Sequence, residues 1–110
     1  MLEPLFGSEK KEKILLYLWT RGEAYAREIA RAFQFHLYTV QAQLLKLEAG
    51  GVIYSRLRGK VRLFGLNPRY PFKKELEALL EKVLEFLPQE EVTRHYRPRL
   101  RPRRTGKPLP

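Results

Sequence analysis

The chain has 110 residues, 44% of them hydrophobic, enough for one small domain with a modest core. It has no cysteine, which excludes disulfides, thiol catalysis and thiolate metal sites, and no signal peptide or bilayer-length apolar run, so a soluble, cytoplasmic protein is expected. The net charge of +10, from 22 Lys and Arg against 12 acids that are all Glu, points to a polyanionic partner, with nucleic acid ahead of an anionic membrane surface.

Ser8 can cap a first helix whose core face is Ile14, Leu15 and Leu18, with Glu9 and Glu12 near its positive end. Arg21-Gly22 ends it, and Ala24-Tyr25-Ala26 reads as a short extended piece. A short helix over about 26–33 places Ile29, Ala30 and Phe33 at core spacing, and Gln34-Phe35-His36 breaks it. The next helix runs from about Leu37 to Ala49, where Gly50-Gly51 stops it and one of the two can turn left-handed. Its core face is Val40, Leu44 and Leu47. Its other face carries Tyr38, Thr39, Gln41, Ala42 and Lys46, polar but scarcely charged. A helix that met only water would be richer in Glu and Lys.

The hydrophobic period then changes from 3.6 to 2. Residues 52–58 and 61–67 read as two strands joined at Gly59-Lys60. Strict alternation puts Arg56, Arg58, Lys60 and Arg62 on one face and Leu57, Val61 and Leu63 on the other. No acid interrupts residues 50–74, so this hairpin is a candidate phosphate-contacting surface. Asn67-Pro68 and Tyr70-Pro71 are breakers. A last helix, 71–87, has a wide apolar stripe that suits a homodimer interface made by Phe72, Leu76, Leu80, Val83, Leu84 and Leu87. From Pro88 the chain holds five of its eight prolines. Residues 88–110 are expected to be a disordered basic arm in which Arg97, Arg99, Arg101, Arg103 and Arg104 follow a phosphate backbone, and deletion of residues 93–110 is expected to remove no core position.

No Ser–His–acid set, Gly-rich phosphate loop or metal-ligand spacing is present, so neither enzyme, cofactor nor metal site is expected. Trp19, Tyr25, Tyr54 and Phe64 alternate with core positions and read as packing residues rather than base-stacking platforms.

The order of helix, short strand, helix, tight turn, helix, hairpin and helix is that of a winged helix-turn-helix. Glu28-Ile29-Ala30-Arg31, Thr39-Val40-Gln41, Leu44 and Leu47-Glu48-Ala49-Gly50-Gly51-Val52-Ile53 resemble the ArsR/MarR-like bacterial and archaeal transcriptional regulators, and Arg58-Gly59-Lys60-Val61-Arg62-Leu63-Phe64 resembles their wing. Leu5-Phe6-Gly7-Ser8 and Leu66-Asn67-Pro68, with Pro71 and Phe72, are similar to a group of small regulators, some associated with nucleotidyltransferase proteins. His36, Leu37 and Gly50 depart from the usual residues at their positions, and the lack of cysteine argues against the family's metal-sensing role.

The resemblance implies a mainly α fold with a small β-hairpin: a DNA-binding domain over 1–70, a dimerisation helix over 71–87 and the tail. It implies a homodimeric, sequence-specific binder of double-stranded DNA. The helix 37–49 would enter the major groove, with His36, Tyr38, Thr39, Gln41, Ala42 and Lys46 facing DNA. Arg56, Arg58, Lys60 and Arg62 would form the wing. The alternative is a winged-helix adaptor for a separately encoded enzyme, its basic tail binding RNA or an acidic partner.

Overall fold

A computed structural model describes residues 1–97. One helical turn, α1 (Glu3–Phe6), precedes the first long helix and was not expected from the sequence. Ser8 follows in extended backbone, and its Oγ accepts a hydrogen bond from the Lys11 amide at 3.2 Å, capping α2 (Glu9–Arg21) as expected. α2 is the central pillar: Ile14, Leu15, Leu16, Tyr17 and Leu18 are all buried, so it packs against neighbours on more than one side. Glu12, on the same helix, is buried but satisfied by the Met1 ammonium at 3.0 Å and the Leu2 amide at 2.8 Å.

Strand β1 (Glu23–Tyr25) leads into α3 (Ala26–Phe33), where the Glu28 carboxylate accepts from the Tyr25 amide at 3.3 Å. Gln34 turns the chain through a left-handed conformation, the one positive-φ residue other than glycine among those described. α4 (Leu37–Ala49) then buries Val40, Leu44 and Leu47, the three positions its period predicts. Gly51, at φ +79°, ends it and turns the chain into β2 (Ile53–Arg58). β3 (Val61–Leu66) returns, and the sheet order is β1-β3-β2, antiparallel throughout.

The register corrects the expected distribution of arginines. Arg58 pairs with Val61, Leu57 with Arg62 and Arg56 with Leu63. Directly paired residues share a face, so the two-residue turn at Gly59-Lys60 exchanges odd and even between the strands. Arg56 and Arg58 therefore share a face with Val61 and Leu63, while Arg62 shares the opposite face with Leu57.

Helix α5 (Lys73–Phe86) buries Leu80 and Val83, with Leu76, Leu84 and Leu87 packed beside them. The expected disordered stretch does not begin at Pro88. Residues 89–95 form a further helix, α6 (Gln89–His95), which Pro88 precedes. The next residue, Tyr96, is only 1% exposed and belongs to the core, 6.0 Å from Phe33 between ring centroids. A deletion beginning at residue 93 would thus remove a core side chain. The rest of the expected arm, including Arg99, Arg101, Arg103 and Arg104, lies outside the described residues.

Candidate nucleic-acid interface

Burial of Val40, Leu44 and Leu47 turns the opposite side of α4 to solvent. Tyr38 is 82% exposed, Gln41 and Lys46 are exposed, and Thr39 and Ala42 are half-buried at the edges of that surface. His36 stands exposed just before the helix, and its side chain makes no capping bond. Sequence reasoning missed Leu45, which is 60% exposed in the same row. Its position four residues after Gln41 and seven after Tyr38 is the signal that could have found it.

Between α4, the start of α3 and the hairpin lies a cleft of about 330 Å³. Its apolar lining comes chiefly from Leu37, Leu45, Val61 and Phe64; Gln41, Arg27 and Arg62 supply the polar groups, and no acid lines it. Arg27 and Arg31, both exposed on α3, also border a second cleft with Glu28 and Val61. Neither arginine was singled out in the sequence, because α3 looks like a scaffold until the sheet brings the hairpin beside it.

The four hairpin cations differ in what they can do. Arg58 and Lys60 are exposed at the tip, where Gly59 takes φ +66°. Arg56 is already engaged: its Nε and Nη2 donate to the two oxygens of Glu23, each at 2.9 Å. Tyr54 also donates to Glu23. The Arg56 guanidinium, helped by the Tyr54 hydroxyl, holds the Glu23 carboxyl below the usual carboxylate range. Burial, reinforced by the bond to Glu23, pushes Tyr54 up to about 12. This clamp joins β1 to β2 across β3, so Arg56 braces the base of the hairpin. Arg62 donates to Ser55 Oγ at 3.0 Å, and Ser55 donates to Glu48 at 2.7 Å, which ties the hairpin to α4.

The expected dimer surface also changes. Leu80 and Val83 are spent on the chain's own core, and Leu76, Leu84 and Leu87 lie half-buried against it. Only Phe72 of the six expected residues is exposed, and Phe86 joins it at 68% exposure. Arg97, the one expected tail residue within the described part, is exposed. Among the described residues no three His, Asp or Glu side chains gather where they could hold a metal ion, and no helix is long and apolar enough to cross a membrane.

No family model matches the chain, and no curated protein matches it. Solved structures do. The YusO protein of Bacillus subtilis superposes with a TM-score of 0.58 at 22% identity, covering 84% of this chain and 73% of that one. An apo form of a mutant ZitR from Lactococcus lactis gives 0.55 at 20% identity, covering 84% and 78%. These likenesses, with the order of elements above, establish the winged helix-turn-helix fold.

Proposed function

We propose that this chain is a non-catalytic transcriptional regulator of the ArsR/MarR-like kind that binds double-stranded DNA as a homodimer. The observation that carries this reading is the cleft flanked by α4 and the hairpin, which Arg27 and Arg62 line and no acid does. α4 is the element shaped to enter a major groove, with Gln41 and Thr39 toward base edges and Tyr38, Lys46 and His36 beside them. Arg27 and Arg31 on α3, with Arg58 and Lys60 at the wing tip, are placed to neutralise phosphates on either side. Arg97 starts a basic extension that would add affinity with little sequence preference.

The dimer in this proposal uses the outer row of α5. Phe72, Leu79 and Phe86 recur every seven residues, with Phe72 and Phe86 exposed and Leu79 half-buried between them. Antiparallel pairing about Leu79 sets Phe72 against the partner's Phe86 and Glu75 beside the partner's Lys82, and the same contacts repeat by two-fold symmetry. One surface thus complements itself in shape and in charge.

Selection of bound duplexes from a random pool tests the reading. A sharp two-fold motif whose affinity falls steeply with salt is expected. The exposed apolar residues Tyr38, Leu45, Leu57 and Val61 favour a second reading, a protein-docking adaptor. Absence of any duplex preference, with weak salt dependence, would select it.

A further inference from the structure

The outward row of α4 is short of charge. Tyr38, Gln41 and Leu45 follow one another at spacings of three and four residues, and all three are exposed. Lys46 is the one cation in the helix. Charge surrounds this row rather than occupying it: Arg27 and Arg62 line the cleft that Gln41 and Leu45 share, and no acid does.

Base edges in a major groove differ in what they ask of a protein. Guanine presents two acceptors and is best met by Arg or Lys, adenine presents a donor and an acceptor that suit an amide, and thymine presents a methyl group that suits an apolar side chain. The exposed row offers an amide followed one turn later by an aliphatic group. Resting on the DNA-binding reading above, we propose that Leu45 is a specificity-determining residue that packs on a thymine methyl group next to an adenine contacted by Gln41. The preferred half-site then contains A·T pairs under the middle of α4, and the surrounding arginines bind its phosphates without reading bases. A leucine so exposed carries a solvation cost in the free protein, and contact with a methyl group relieves it.

The test uses the full chain and its best selected duplex, with thymines replaced one at a time by deoxyuridine. That change keeps the base pair and removes only the methyl group. For the unaltered protein, one position in each half-site should lose about fourfold in affinity, the worth of burying one methyl group. Leu45→Ala should bind the thymine duplex more weakly and become indifferent to deoxyuridine there, while Leu45→Met should stay sensitive. Thermal melting should show both variants folded, since the side chain is exposed. Insensitivity at every thymine, or an unchanged deoxyuridine penalty in Leu45→Ala, would overturn the assignment while leaving DNA binding intact. Failure to bind any duplex would instead remove the DNA reading, and this assignment with it.

Discussion

Tyr96 gives a sharp test of whether the segment after Pro88 belongs to the folded domain. Its ring is 1% exposed and near Phe33 and His95, yet its hydroxyl is buried without a hydrogen-bond partner. The two parts of the side chain should therefore have opposite effects. Removing the ring in Tyr96→Ala forfeits buried apolar area and leaves a cavity, a loss of about 3–5 kcal/mol. That is a large share of the total stability of about 5–15 kcal/mol usual for a domain. Removing only the hydroxyl in Tyr96→Phe deletes a polar group that gave up its water for nothing, and such desolvation costs about 1–3 kcal/mol. Tyr96→Phe should thus gain about 1 kcal/mol and melt roughly 4–8 °C higher. Urea titration and thermal melting followed by circular dichroism and the fluorescence of Trp19, the chain's one tryptophan, would measure both. A Tyr96→Phe variant less stable by about 1 kcal/mol or more would show that the hydroxyl has a partner. A Tyr96→Ala variant of unchanged stability would refute the packing of α6 altogether.

Replacing Arg58 and Lys60 together by Ala should lower the salt slope of duplex binding by about 0.9 for each phosphate that is no longer neutralised, whereas Arg56→Ala, whose charge Glu23 already balances, should change it far less. Leu79→Glu or Phe86→Glu should convert a dimer to monomers in light scattering without unfolding it, and a monomeric unaltered chain at micromolar concentration would defeat the proposed pairing. Burial holds the His95 imidazole below its usual pKa of 6.5, so it is neutral in the fold and the unfolded chain takes the proton more readily. The stability this contributes is complete above about pH 6.5 and is lost as the pH falls through the lower folded value; His95→Gln should flatten that part of a stability–pH profile measured by denaturation.

Much of the fold was legible because local periods agree with global packing. Val40, Leu44 and Leu47 could be placed from spacing alone, as could the hairpin turn at Gly59-Lys60. The side on which each hairpin cation falls was not, because it depends on the parity of one turn: a two-residue connection moves Arg62 away from Arg56. The Glu23–Arg56 clamp spans 33 residues of sequence, a separation at which spacing says nothing. α5 was ambiguous for another reason. Its apolar residues cover two sides, and a sequence does not say which side meets its own core. At the C-terminal end prolines and charge outweighed a fainter signal, Val92 and Tyr96 at four-residue spacing, although proline beside a helix start is favourable rather than disruptive.

The sheet is three strands wide only at its base. β1 pairs with Leu63, Phe64 and Gly65 and stops there, so the hairpin from Leu57 to Arg62 projects as a two-stranded ribbon. Mechanically it is a cantilever: clamped at its root by Arg56 on Glu23, two strands wide along its length, and charged at its tip. Ribbons of two strands twist more readily than wider sheets. The compliance of the assembly is thus concentrated beyond the clamp, while α4, tied to the root through Glu48 and Ser55, keeps its orientation. Under the proposed reading, such a lever lets the tip follow a minor groove whose width changes with sequence, and passes little of that bending back to the helix that reads the bases.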